Sequence, residues 1–240
     1  MNTSSHLSDN LALLAHETGL LMRTAAGLDD EAVRVASLCE GWTRAHVLSH
    51  IARNADGLTN LVSWAITGTP RAMYVSPEAR DADIAAGSTR GAQEIYADLK
   101  ESAQRFAAAA PGLAGPPEQA EVEMRGGRTV LGGRLPTLRL MEVVIHHVDL
   151  DAGYTFADAD PGFIRRAVTN SVERMAASGQ APSIILRSDE GDTWSIGNAT
   201  QGVSRSDVTG SNAALLLWLT RGNGAGVSSP TPLPELPSWG

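Results

Sequence analysis

The sequence predicts an α+β fold, a four-helix bundle over residues 1–155 followed by a small C-terminal α/β domain over 156–240. Three observations predict it. Four long stretches repeat apolar residues at the helical period. After Gly153 the pattern changes to short alternating or clustered apolar runs, the mark of strands. Helical segments that precede a mixed strand and helix region read as an α+β architecture with a boundary near residue 155.

The elements follow in order. Residues 8–27 place Leu11, Leu14, Leu20, Leu21 and Met22 at helical spacing, a first bundle helix. Asp29-Asp30-Glu31 is expected to start a brief helix, and Leu38 to Thr43 to form a break with Thr43 as N-cap. A second long helix is expected from about Arg44 to Ile66, stopped by Gly68-Thr69-Pro70. Residues 71–88 show no clear period and read as a long loop, of the kind that is usually functional or mobile. An Ala-rich helix is expected over 89–110, then a short strand at Glu121–Met124 with a turn at Arg125–Arg128. The fourth long helix is expected over about Thr137–Asp151. In the second domain a helix runs from Pro161 to about Ser178, followed by strands at 183–187, 193–196 and 203–208. Gly191-Asp192 is the hairpin signal between the first two strands. Ser211 caps a last helix to Thr220, and a Gly- and Pro-rich tail closes the chain.

Composition narrows the function classes. Hydrophobic residues make up 42% and charged residues 19%, ordinary values for a globular protein. The formal net charge is -8, with Lys100 as the single lysine and no basic cluster, which argues against nucleic-acid binding. The single Cys39 excludes an intramolecular disulfide and a Cys-rich zinc finger, and reads as a small buried residue more readily than as a nucleophile. No apolar run reaches the roughly 18 residues of a membrane span, and no secretory signal is evident, so a cytoplasmic protein is expected.

The segment Leu140-Met141-Glu142-Val143-Val144-Ile145-His146-His147-Val148-Asp149 carries the chemistry. Glu142 and His146, four apart on one helix, share a face and could offer a metal two ligands. The second long helix holds His46 and His50, also four apart, and one of them could complete a site of two imidazoles and a carboxylate. Such a set suits catalytic zinc, which keeps a coordination position open, and also non-haem iron. Spacing alone leaves the choice among His46, His50, His146 and His147 open.

Several segments together resemble a known family. Glu40-Gly41-Trp42-Thr43-Arg44 leading to His50, the stretch Met73 to Arg80, the Glu142/His146 helix and the closing Arg221-Gly222 resemble the mycothiol-dependent maleylpyruvate isomerases, nearly end to end. The tryptophan-containing helix start and the E-x-x-x-H helix belong to the wider DinB-like, thiol-dependent superfamily. The Tyr74-to-Arg80 stretch and the chain end match the isomerase itself. The resemblance implies a DinB-like four-helix domain, then a small α/β domain, with a divalent metal, expected to be zinc, on His50, Glu142 and His146. It assigns Arg80 and Arg221 to the catalytic cavity.

The family reaction that this resemblance implies converts maleylpyruvate to fumarylpyruvate in gentisate breakdown, with mycothiol as cofactor. A double bond conjugated to carbonyls does not rotate, but reversible addition of a thiolate leaves a single bond that does. Metal coordination deprotonates the thiol, so the protein needs no cysteine of its own for this chemistry. Arg80 and Arg221 would hold the substrate carboxylates or the enolate charge. Asp149, close after His146, could orient that imidazole. The partners expected are small molecules, a dicarboxylate and mycothiol, with neither nucleic acid nor membrane. The alternatives are a mycothiol S-transferase acting on another electrophile and a non-catalytic thiol- or metal-binding protein.

Overall fold

Apolar stripes at helical spacing need a facing partner, and in the computed structural model the helices of the first unit supply it to one another. The chain divides into two units, Met1–Tyr154 and Thr155–Gly240. The described residues are 3–178, 182–197 and 205–237. In the first unit, helix α1 spans Thr3–Ala26, α2 Arg44–Thr67, α3 Pro77–Ser88 and α4 Ala92–Ala109. A hairpin of β1, Glu121–Glu123, and β2, Thr129–Leu131, then leads into α5, Leu135–Asp149. The four long helices of the bundle are α1, α2, α4 and α5, as the period predicts.

Helix α2 is the centre of the bundle and packs against α3, α4 and α5, while α1 packs against α4 and α5. Its residues Leu48, Ile51, Leu58 and Leu61 are almost fully buried, as are Leu99 and Phe106 of α4 and Leu140, Val143 and Val144 of α5. Ala45, Ala52 and Ala55 on α2 are buried too, and such small side chains let helix axes approach closely. The ends of α2 follow from its sequence. The Thr43 backbone N–H donates to Nδ1 of His46 at 3.3 Å, and Thr43 Oγ1 lies 2.8 Å from that nitrogen. His46 thus closes the N-terminus of α2, the role a Glu takes in a capping box. Gly68, at φ +72°, ends the helix in the left-handed region, its N–H on the Trp64 carbonyl.

The stretch 71–88, expected as a loop, is a loop only as far as Ser76. Helix α3 follows, with Ser76 Oγ accepting from the Ala79 N–H, Pro77 in the first turn and Glu78 beside them. Only Ile84, Gly87 and Ser88 of α3 are buried, too thin a stripe to register as a period. Its close crossing over α2 depends on Gly87, where a Cβ would stand 2.8 Å from Ser49 Oγ.

In the second unit, α6 spans Pro161–Ala177, β3 Ile184–Ser188, β4 Thr193–Ile196, β5 Ser206–Gly210, α7 Asn212–Arg221 and β6 Val227–Ser228. The sheet order is β4-β3-β5-β6. Strands β3 and β4 form the antiparallel hairpin signalled by Gly191-Asp192, β5 runs parallel to β3, and β6 pairs antiparallel with β5. Of the strand expected over 203–208, residues 203 and 204 lie outside the described residues, as do 238–240 of the tail. Strand β6 falls in that tail, where no strand is expected from sequence. Trp218 and Leu215 of α7 and Phe163 and Val168 of α6 supply the core of this unit.

Candidate metal centre

His50 stands in the first half of α2, and Glu142 and His146 lie one turn apart on α5, the helix packed against it. Their donor atoms converge. His50 Nε2 is 3.0 Å from Glu142 Oε2 and 3.1 Å from His146 Nε2, and His146 Nε2 is 3.5 Å from the same carboxylate oxygen. Three donors bound to one ion at about 2.0–2.1 Å along tetrahedral directions stand roughly 3.3 Å apart, so this triangle fits a zinc-sized ion. The side chains of His50 and His146 are largely buried, whereas that of Glu142 keeps 35% of its surface accessible. The open side of the triangle is therefore at the carboxylate.

Neighbouring groups fix how the two imidazoles point. His146 donates from Nδ1 to Asp149 Oδ2 at 2.7 Å, which leaves Nε2 facing the other two donors. Asp149 is completely buried and also accepts from the Cys39 thiol at 3.3 Å. On the other side, Arg80 of α3 donates from Nη2 to His50 Nδ1 at 3.0 Å. Its guanidinium carbon lies 5.8 Å from the centre of the Tyr74 ring, within cation–π range. Trp42 tilts over His50 with ring centres 5.5 Å apart.

The protonation pattern follows from these contacts. Burial, then the charge of His146, push the His50 pKa down to about 4, so His50 is neutral at neutral pH. Burial alone would lower His146 as well, but its hydrogen bonds to Asp149, Cys39 and Glu142 hold it well above the usual histidine range. For Glu142 burial is outweighed by the hydrogen bonds from His146 and His50, and the carboxyl stays well below its ordinary value. His146 thus carries a second ring proton and a positive charge, between the Asp149 and Glu142 carboxylates.

The family model for the mycothiol maleylpyruvate isomerase N-terminal domain matches residues 14–151, more than half of the chain and all three converging donors. The chain belongs to the mycothiol-dependent maleylpyruvate isomerase family. A crystal structure of a mycothiol-dependent maleylpyruvate isomerase superposes with a TM-score of 0.92 at 32% identity, covering 100% of both chains. A histidine-to-alanine mutant of that isomerase gives 0.91 at 31% identity, again over 100% of both. No curated sequence matches the chain.

Against this family background the other candidate residues sort by geometry. His46, besides capping α2, is 3.1 Å from Ser88 Oγ, and His147 pairs with Thr24 Oγ1 at 2.7 Å and stacks on Tyr154. Neither takes part in the converging triangle. Arg80 contacts His50 directly. Arg221 stands in the second unit, at the C-terminus of α7, one residue before the left-handed Gly222. Two residues escape a reading by sequence. Cys39, read as a small buried residue, is half-buried and bonded to Asp149, 110 positions away. Arg139 is buried one turn before Glu142, with Nη1 donating to the Ile51 carbonyl and to Asn54 Oδ1, both at 2.8 Å. Its one sequence signal is a charge inside an apolar run. Burial lowers its pKa to about 10, which leaves it a cation behind the Glu142 carboxylate. No described helix is long and apolar enough to cross a membrane.

Proposed function

We propose that this chain catalyses the mycothiol-dependent cis–trans isomerisation of maleylpyruvate to fumarylpyruvate, a step of gentisate breakdown, with zinc held by His50, Glu142 and His146. The observation that carries the proposal is the triangle of these three donors beside Arg80, in a chain that matches solved maleylpyruvate isomerases over its full length. Two neutral imidazoles and one carboxylate leave a divalent ion with about one positive charge and an open position. When bound there, zinc stabilises the thiolate of mycothiol, and the thiolate's reversible addition supplies the single bond about which the substrate turns.

The chain's own residues prepare that chemistry. Asp149 holds the proton of a neutral His146 at Nδ1, so that Nε2 keeps its lone pair for the metal. His50 now accepts from Arg80 at Nδ1, so a neutral His50 carries its proton at Nε2, toward Glu142. To hold a metal through Nε2, His50 would need the other tautomer, with its proton at Nδ1. Arg80, a donor only, would then lose this acceptor, and its Nη2, opposite the Nη1 that pairs with Asp81 at 2.6 Å, would be open to a substrate carboxylate or an enolate oxygen. Arg221 is proposed as a second cation for substrate charge.

The test is absorbance-followed isomerisation of maleylpyruvate by zinc-loaded protein, with and without mycothiol, beside a His50→Ala variant. Thiol-dependent turnover that disappears in the variant is expected. Tight zinc and mycothiol binding without any turnover would contradict the isomerase reading and point to a transferase using another electrophile.

A further inference from the structure

Tyr74 also lines a cavity of about 410 Å³ in the first unit. Its wall comes from the end of α2, the loop into α3 and the β1–β2 hairpin. Trp64, Met73 and Tyr74 offer apolar and aromatic surface, and Arg71, Glu123 and Arg125 offer polar groups. No hydrogen bond or ion pair within the first unit engages those three charged side chains among the described residues.

The cavity and the metal centre lie along one stripe of α2. His50, Gly57 and Trp64 follow at intervals of seven residues on α2, so they share a face and step along it by about 10 Å each. His50 carries the donor nitrogen and Trp64 lines the cavity. Gly57 lies between and is needed there, since a Cβ would stand 2.9 Å from the Tyr74 ring and 3.0 Å from Met73. The Asn60 amide, donating to the Met73 carbonyl at 3.3 Å, fastens the same loop to α2. Tyr74 is thus common to both places: it lines the cavity, and its ring lies 5.8 Å from the guanidinium carbon of Arg80, which donates to His50.

We propose that this cavity is the subsite for the sugar part of the thiol cofactor, a neutral polyhydroxylated body tethered to the sulfur that reaches the metal centre. The proposal rests on the function given above and names the part of the protein that selects its thiol. A volume near 410 Å³ lies in the lower part of the usual range for small-molecule sites, roughly 300–1,000 Å³. Sugar rings present C–H faces and hydroxyl rims, which matches aromatic and apolar walls set with a few charged hydrogen-bonding groups. A dianionic substrate fits less well, because Glu123 stands among the lining groups and most of the wall is apolar.

Calorimetry on the zinc-loaded full chain tests this by comparing mycothiol with N-acetylcysteine, which keeps the thiol and lacks the sugars. The wild type should bind mycothiol at least about tenfold more tightly, and Arg125→Ala or Trp64→Leu should remove most of that preference while leaving N-acetylcysteine unchanged. Arg125 lies on an exposed hairpin, so its variant is expected to fold, and an unchanged melting temperature checks it. Equal affinities for the two thiols in the wild type, or variants that weaken both thiols alike, would overturn the subsite. Tight mycothiol binding without isomerisation would instead overturn the proposed reaction and leave the subsite in place.

Discussion

At the scale of the residue, the centre depends on groups that touch its ligands. Asp149 makes the Nδ1 contact that turns His146 Nε2 toward His50 and Glu142. Asp149→Asn should therefore weaken zinc by about 10–100-fold, measured by competition with a chelating dye. An unchanged affinity would show that the imidazole needs no such partner. The proton on His146 adds a pH dependence. His50 is already neutral and Glu142 already ionised at neutral pH, so His146 alone must lose a proton before it can ligate. Its pKa is raised, so over the pH range below that raised value zinc affinity should fall about tenfold for each unit of acidification. Calorimetry in buffers of different ionisation enthalpy should show about one proton released per zinc, and a proton count near zero would contradict the assignment. The ligand types were legible in the sequence, because Glu142 and His146 are four apart on a helix. That His50 rather than His46 converges with Glu142 and His146 was expected only through family resemblance, since both imidazoles lie in one helical pattern and three-dimensional contacts separate them. Cys39 on Asp149 was not legible at all, because nothing local to Cys39 signals a partner 110 positions away.

At the scale of the element, α2 is the frame and the segment after it the adaptor. The loop carrying Met73 and Tyr74 lies directly on α2 because Gly57 has no side chain. Gly57→Ala gains helix propensity of about 1 kcal/mol but forces Tyr74 and Met73 outward, a cost of about 1–3 kcal/mol. The Met73 carbonyl oxygen, 3.1 Å from that Cβ, is backbone that cannot swing aside, so a net loss of about 1 kcal/mol is expected in urea denaturation. A variant as stable as the wild type would show that the loop moves freely. The long helices were legible because each buries a full apolar stripe. Helix α3 was not, because it buries three residues and its Ala-rich exposed face carries no period. Its start was nevertheless written in Ser76-Pro77-Glu78, a capping signal that period analysis passes over. The short strands β2 and β6 escaped for the related reason that two or three residues carry no alternation.

At the scale of the whole molecule, the helical bundle and the later α/β region were both visible as a change of pattern after Gly153. All three converging donors, Arg80 and the cavity that Tyr74 lines belong to the first unit, and Arg221 belongs to the second. This division makes the two arginines separable by experiment. Arg221→Ala should leave zinc stoichiometry unchanged and lower kcat/KM for maleylpyruvate by about 100-fold. A variant with wild-type kcat/KM would remove Arg221 from the reaction. The proposed reaction depends on one centre, in which His50, Glu142 and His146 would bind a metal that in turn would take the sulfur of the cofactor. X-ray absorption at the zinc edge tests that most directly, on zinc-loaded protein before and after addition of mycothiol. The expected spectrum shows imidazole and oxygen donors at about 2.0–2.2 Å, and a sulfur neighbour at about 2.3 Å that appears only with the thiol. A spectrum without imidazole scattering, or one to which mycothiol adds no sulfur, would contradict the account.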